Sequence, residues 1–240
     1  MKIVKFYATT LAVFVLALFI VQMPAFAQNL KGNGNLKSET RNVSGFKGID
    51  VGGGFTVELV QGKDENVRIE ADENLLSNIK TDVKNGVLRI YNDKSLSTSK
   101  GLKAYITVKQ LNSIEISGGV KLIGKSTFKA DAFKLDLSGG SKVNLAIDTK
   151  NLTADMSGAS KVELTGKADE LSMNMSGASN VSAQELEAKR VKIEASGASR
   201  VKVYARESLD ITASGASAVY YKGSPRITAD TSAAARISKL

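Results

Sequence analysis

The sequence of 240 residues contains no cysteine, no histidine and no tryptophan. Without cysteine no disulfide bond can form. Without cysteine and histidine, neither a Ser-His-Asp or Cys-His nucleophile nor an ordinary zinc site can be built. Proline is also scarce, with 2 residues against 21 glycines. We therefore expect no cofactor and none of these common catalytic sites. The length of the chain is sufficient for one or two domains.

Aromatic residues make up only 6% of the chain, and the formal net charge is +9. The charges of both signs are interspersed, and the few aromatic residues offer no stacking platform for single-stranded nucleic acid. We therefore expect no nucleic-acid partner. The net charge is interpreted as a source of solubility and of weak attraction to anionic polymers of a cell envelope.

Residues 1–27 are predicted to be a secretory signal peptide. Lys2 and Lys5 precede an uncharged, mostly apolar run from Ala8 to Val21, and Ala25-Phe26-Ala27 fits the small-x-small cleavage rule. The run is shorter than the roughly 20 residues that a membrane-spanning helix needs. We expect a mature bacterial protein that begins at Gln28, has no transmembrane span, and resides in the periplasm, on the outer surface or in the medium.

A hexapeptide that begins with Ser-Gly recurs six times, and a decayed copy follows at Ser232–Ile237. The steps between the first serines are 21, 19, 19, 20, 18 and 18 residues. Glycine adopts backbone angles that a Cβ forbids, so each pair predicts the same sharp turn. The six pairs are Ser117 and Gly118, Ser138 and Gly139, Ser157 and Gly158, Ser176 and Gly177, Ser196 and Gly197, and Ser214 and Gly215.

Apolar residues alternate with polar ones before each serine, as at Leu171, Met173 and Met175, which is typical of strands. A two-stranded unit of about 19 residues cannot bury its own apolar face, whereas a stack of such units rising about 4.8 Å per coil can. The repeat therefore predicts an all-β fold, a right-handed parallel β-solenoid of seven coils. An antiparallel meander or sandwich is the alternative.

The remaining chain is divided into a flexible polar leader over 28–44 and an N-terminal β-rich part over 45–110, which is continuous with the solenoid repeats over 111–240. Asn85-Gly86 predicts a two-residue hairpin, Asn74–Ile79 a single helical turn, and Asp93–Gly101 an exposed loop. Predicted strands of the N-terminal part are Thr56–Val60, Asn66–Ala71, Val87–Tyr91 and Lys103–Val108.

Several segments resemble the bacterial head GIN domain family, whose members are described as auto-transporter adhesins by analogy. Besides the Ser-Gly-x-Ser series, the matching segments are Phe46–Val51, Val57–Gly62, Leu75-Leu76, Asn85–Ile90 and Tyr221–Pro225. The resemblance covers about residues 44–237. It implies an exported protein with a solenoid-like all-β fold, and it assigns no particular activity, because the adhesin description is itself an analogy. Alanine often replaces the third residue of the family's usual Ser-Gly-Ser-Gly repeat, and serine the fourth.

Stacked coils turn equivalent positions into columns on the surface. Two residues before each first serine lies an acidic column, and four residues after it lies a basic column. Both become neutral in the coil of Asn174 and Asn180, which indicates that the two columns pair. The acidic column contains Glu115, Asp136, Asp155 and Glu194, and the basic column contains Lys121, Lys142, Lys161 and Arg200.

Two other interpretations of these columns remain open. Glu115, Asp136 and Asp155 could hold Ca²⁺ between coils, although no Asp-rich calcium loop is present, so no metal site is expected. The columns could also form a ligand-binding face, to which an outward-facing Tyr220 would add an aromatic contact. Two columns of serines flank each turn, and their hydroxyls are expected to hydrogen-bond from coil to coil.

Three functions compete. The first is a non-enzymatic, adhesin-like binding module for an envelope or extracellular glycan or protein. The second is a structural envelope protein that self-associates weakly through the ends of the solenoid. The third is a polysaccharide-acting β-helix enzyme, which is disfavoured because such enzymes interrupt the repeat at a catalytic cleft.

Overall fold

The computed structural model describes residues 29–232 and 234–240. The predicted signal peptide over 1–27 lies outside these ranges. Sixteen of the described strands belong to one large sheet, and β1 and β8 form a separate small pair. In chain order the strands are β1 (Leu30–Lys31), β2 (Leu36–Arg41), β3 (Gly48–Gly53), β4 (Phe55–Gln61), β5 (Asn66–Asp72), β6 (Ile79–Lys84), β7 (Val87–Asn92), β8 (Leu96–Ser97), β9 (Leu102–Val108), β10 (Ser113–Gly118), β11 (Lys121–Gly139), β12 (Lys142–Gly158), β13 (Lys161–Gly177), β14 (Asn180–Gly197), β15 (Arg200–Ala213), β16 (Ala218–Lys222), β17 (Arg226–Thr231) and β18 (Arg236–Lys239).

The repeats form a parallel β-solenoid of about 7 turns of about 19 residues. Strands β11 to β14 each continue almost around a coil, and neighbouring coils lie parallel and in register. Ser157 lies beside Ser176, so equivalent serines are one coil apart. The predicted solenoid is therefore confirmed, and the antiparallel alternative is wrong.

The apolar columns predicted from the alternation fill the interior. Leu171, Met173 and Met175 are 1%, 0% and 3% exposed. The last coil is different, because Ile227, which the alternation places inside, is 40% exposed. Strand β17 pairs with β15 only, so no described coil covers its other side.

The N-terminal strands join the same sheet. Strand β3 pairs in parallel with β10, and β4 pairs in parallel with β11, which places Ile49 beside Ile114 and Val57 beside Leu122. The hairpin predicted at Asn85-Gly86 is present between β6 and β7. A 3₁₀ turn at Glu73–Asn78 occupies the predicted helical segment.

The segment predicted as a flexible leader contains structure. Strand β2 pairs antiparallel with β5, and β1 pairs in parallel with β8 inside the loop predicted over Asp93–Gly101. Nearly all side chains of β2 are exposed, so its sequence lacks the apolar alternation that would announce a strand. Strand β2 joins the sheet through β5, which in turn pairs antiparallel with β9.

Candidate binding surface

Each Ser-Gly-x-Ser corner is bonded to the preceding coil through one glycine carbonyl. The Ala159 N–H donates to the Gly139 oxygen at 2.9 Å, and the Ser160 hydroxyl donates to the same oxygen at 3.3 Å. The serine hydroxyls thus bond from coil to coil onto backbone carbonyls. The same two kinds of donor meet at the carbonyls of Gly118, Gly158, Gly177 and Gly197.

Glycine is needed at this corner because of its backbone angle and because of a close approach. The φ angle is +102° at Gly139 and +110° at Gly158, a region that residues with a Cβ rarely adopt. A Cβ on Gly158 would lie 2.6 Å from the Gly139 carbonyl oxygen. The Ser-Gly motif is therefore explained by the stacking of coils.

The two serine columns have different environments. The second serine of each corner is 1% or 2% exposed and faces inward, whereas the first serine is exposed. The buried column consists of Ser141, Ser160, Ser179, Ser199 and Ser217. Only the first serines are available to a ligand.

A groove runs along the first serines and the acidic column. Glu115, Asp136 and Asp155 lie in register on successive coils, and Asp50 of β3 extends the row at the N-terminal end. The groove has a volume of about 540 Å³. Its polar lining consists of Glu115, Asp136, Asp155, Asn174, Glu194 and Thr212 together with Ser138, Ser157, Ser176, Ser196 and Ser214.

Lysines on the same face neutralise part of this acidic row. The Lys134 Nζ lies 2.6 Å from a carboxylate oxygen of Asp136 and 3.9 Å from one of Asp155. The Lys192 Nζ lies 2.7 Å from Glu194. The hydrogen bonds to these carboxylates raise the pKa of Lys134 and of Lys192 above the usual value. The groove therefore presents carboxylates and serine hydroxyls side by side. Lysines that bind some of these carboxylates neutralise part of the negative charge of the groove.

The predicted pairing between the acidic and basic columns is wrong. Within residues 29–232 and 234–240, the ion pairs of the acidic column go to Lys134 and Lys192 instead. The Ser-Gly corner lies between the two columns, so their side chains leave the coil from different strands. Arg200 continues the basic column beyond the neutral Asn180.

A second charged column was not recognised from the sequence. Lys150 binds Asp131 at 2.8 Å and Lys189 binds Asp169 at 2.7 Å, each from one coil to the coil before it. These hydrogen bonds lower the pKa of Asp131 and raise the pKa of Lys150. The signal was available, because the residue seven positions before each first serine alternates in charge over four coils. A groove of about 950 Å³ follows this paired column.

Tyr220 is half-buried and lies in register with Lys202 of the preceding coil. It belongs to the column two residues beyond the basic one, away from the acidic groove. The predicted site residues therefore separate into a groove with acidic residues and first serines, and another face with the basic column and Tyr220.

The part of the chain that the structure describes contains no group of three or more acidic side chains placed to hold a metal ion. The calcium interpretation of Glu115, Asp136 and Asp155 therefore gains no support. Over the same residues, no helix is long and apolar enough to span a membrane.

Comparison with known proteins identifies relatives of the same fold. The profile of the family described as "Putative auto-transporter adhesin, head GIN domain" matches residues 45–225. A search of curated proteins found no match.

Solved structures with similar folds come from species of Bacteroides and Parabacteroides. A putative adhesin from Bacteroides fragilis superposes with a TM-score of 0.84 at 24% identity, covering 88% of this chain and 100% of the other. A putative lipid binding protein from Parabacteroides distasonis gives 0.70 at 23% identity, covering 89% and 100%. A putative adhesin from Parabacteroides merdae gives 0.67 at 18% identity, covering 88% and 99%. At these identities the likeness establishes the fold alone.

Proposed function

Because this chain belongs to the head GIN domain family, we propose that it is an exported, non-enzymatic, adhesin-like module that binds an extended glycan along its acidic groove. The family profile and most of the similar structures carry the description of adhesins, and none of those structures is described as an enzyme. The predicted signal peptide supports export to the envelope or beyond.

The observation that carries the proposal is the regular lining of the groove. Carboxylates of Glu115, Asp136 and Asp155 accept hydrogen bonds, and the exposed first serines accept them too. The hydroxyls of Ser138 and Ser196 already donate to backbone carbonyls, which leaves those of Ser157, Ser176 and Ser214 to donate to a ligand. These groups recur at the coil rise of about 4.8 Å. A linear polymer of hydroxylated units can therefore contact a carboxylate and a serine hydroxyl on each of several successive coils. Several weak contacts of this kind add up along the polymer.

The regularity of the groove also argues against a catalytic cleft. The coils that carry Asp136, Asp155 and Glu194 keep their register without an insertion beside the groove. Polysaccharide-acting enzymes need at least one carboxyl group in an environment distinct from its partner. Here Asp136 and Asp155 share Lys134, and Glu194 contacts Lys192, so each of these three carboxylates lies beside a lysine, an arrangement that suits binding better than turnover.

The test is an array of glycans and envelope components probed with the mature protein from Gln28. The double variant Asp136→Ala and Asp155→Ala removes two carboxylates from the groove. A control with the same change in charge, Asp64→Ala and Asp148→Ala, alters exposed positions outside it. We expect the groove variant to lose the bound glycan and the control to keep it. Absence of glycan binding, equal losses in both variants, or turnover of a bound polysaccharide would contradict the proposal.

A structural, self-associating role is the second candidate, and one observation favours it. Strand β17 pairs with β15, and β18 pairs with β16, but no described strand lies on their other sides. Unpaired N–H and C=O groups along an exposed edge are a template for pairing with another chain. Sedimentation at several protein concentrations separates this role from glycan binding by a monomer.

A further inference from the structure

We propose that the exposed column of Lys121, Lys142 and Lys161 is a second contact surface, which binds a linear anionic polysaccharide. These lysines lie directly beside one another on three consecutive coils. All three are exposed, and within residues 29–232 and 234–240 the ion pairs of neighbouring acids go to other basic side chains. This surface is separate from the acidic groove, so the inference does not depend on the proposed function.

Another column on the same coils shows how repulsion between like charges can be relieved. At the column of Asp131, Lys150, Asp169 and Lys189 the sign alternates from coil to coil, and ion pairs of 2.8 Å and 2.7 Å form. Like charges directly opposite one another on neighbouring strands repel. The lysine column keeps that repulsion over three coils. An anionic chain lying along the column would remove it, which is the charge complementarity that identifies the partner.

The neighbouring column decides between a single polymer and a flat anionic surface. A neighbouring column lies two residues beyond the lysines on the same strands and contains Ile123, Asn144 and Glu163. The Asn144 amide donates a hydrogen bond to the Glu163 carboxylate at 3.2 Å. Glu58 of β4 continues this column at the N-terminal end. A membrane surface would have to approach these carboxylates as well as the lysines. A single extended chain can follow the lysines alone.

The side of the column nearest the corner leaves room for such a chain. Two residues before the lysines are Gly119, Gly140 and Ala159, which are exposed and small. Their backbones are fixed by hydrogen bonds of 3.0, 3.2 and 2.9 Å to the preceding coils. The lysine side chains therefore lie beside a strip of small residues whose backbone is held in place. The spacing between successive lysines is the coil rise of about 4.8 Å. A polymer with one carboxylate, sulfate or phosphate on each sugar presents charges at a comparable repeat.

The experiment measures binding of the mature protein to polygalacturonate, with fully methyl-esterified polygalacturonate as the uncharged form of the same backbone. We expect binding to the charged polymer only, and loss of that binding as salt shortens the Debye length from about 30 Å at 0.01 M to about 3 Å at 1 M. The triple variant Lys121→Gln, Lys142→Gln and Lys161→Gln is expected to bind at least about tenfold more weakly, since each lysine near an anionic surface typically contributes a factor of roughly five.

The matched control is the triple variant Lys63→Gln, Lys84→Gln and Lys94→Gln, which removes the same charge from exposed positions in the N-terminal part. It should keep affinity within about twofold, because contacts and not net charge carry the binding. The triple change of the column to arginine should also retain binding. Circular dichroism confirms that each variant is folded.

Several outcomes would overturn the inference. Equal losses in the column and control variants would assign the attraction to net charge alone. Binding of the uncharged esterified polymer would exclude recognition of anionic groups at this surface. So would a failure to bind either of two anionic polysaccharides, polygalacturonate and, as a sulfated polymer, dextran sulfate. Tighter binding to vesicles of phosphatidylcholine and phosphatidylglycerol than to either polymer would assign the column to a membrane.

Discussion

Replacing Gly139 with alanine should destabilise the solenoid far more than replacing its neighbour Gly140. The φ angle of Gly139 is +102°, and a residue with a Cβ in the left-handed region costs about 1–2 kcal/mol. The new Cβ would also lie 2.8 Å from the Gly118 carbonyl oxygen and 3.0 Å from its amide nitrogen. Relieving such a contact costs a further 1–3 kcal/mol or so. The expected loss in the free energy of unfolding is therefore about 2–5 kcal/mol.

Gly140 provides the matched control for this change. A Cβ added there meets no atom within 4 Å, and Gly140 does not have a positive φ angle. Alanine occupies the equivalent position in later coils, at Ala159 and Ala178. Gly140→Ala should therefore leave stability unchanged or raise it by up to about 1 kcal/mol, because the unfolded chain loses freedom.

Thermal unfolding followed by circular dichroism measures the difference. For a chain of this size, 1 kcal/mol shifts the melting temperature by about 2–4 °C, so Gly139→Ala should melt at least about 4 °C below the unmodified protein. Urea unfolding provides a second measurement, the slope of the free energy of unfolding against urea concentration. A smaller slope for the variant would show that the coils on either side of the altered corner unfold independently of each other. Equal melting temperatures for the two variants would refute the explanation of the corner given above.

Three further predictions concern the core, the N-terminal hairpin and the open edge. Met173→Asp should abolish cooperative unfolding, because an unpaired charge would be buried, while Met173→Leu should cost less than about 1.5 kcal/mol; an unchanged melting temperature for the first variant would contradict the strand register. Hydrogen bonds from Arg89 lower the pKa of Asp82 below its usual 3.8, so their stabilisation is present above about pH 4 and disappears as the pH falls through the lowered pKa; Asp82→Asn should thus lower the melting temperature at about pH 7, and its difference from the unmodified protein should shrink as the pH falls through that lowered pKa. Ile237→Lys should abolish any concentration-dependent association seen by sedimentation, and association that persists would exclude the edge of β18 as its cause.

The sequence predicted the solenoid because one physical constraint repeats in every coil. Apolar alternation requires an interior, and a unit as short as the one around Met173 finds an interior only by stacking. The constant serine spacing then requires parallel strands in register. The hairpin at Asn85-Gly86 was predictable for a local reason, since φ is +53° at Asn85 and +73° at Gly86, as a two-residue turn demands.

The features that escaped prediction depend on distances between coils or around corners. Asp136 and Lys142 are close in sequence, yet the corner between them directs the carboxylate toward Lys134. The contact between Gly139 and Gly158 exists only once two coils are stacked, so the sequence revealed the need for a positive φ but not the close approach. Strand β2 was missed because its pairing with β5 involves backbone groups, which leave no apolar signature.

The hydrogen bonds at the corners give the assembly of this fold a direction. Each coil displays a glycine carbonyl, and the next coil supplies the donors, beginning with the Gly119 N–H on the Gly53 oxygen at 3.0 Å. When a coil is already folded, its carbonyl is in place to receive the donors of the next coil. Synthesis delivers a chain with its N-terminus first, so acceptors appear before the donors that need them. If coils are added one after another, only the last folded coil has an unpaired strand edge at any time. When the whole chain refolds from denaturant, several coils have unpaired edges at once, and these edges can pair with other chains. Renaturation should consequently be more prone to aggregation than vectorial folding of the same sequence.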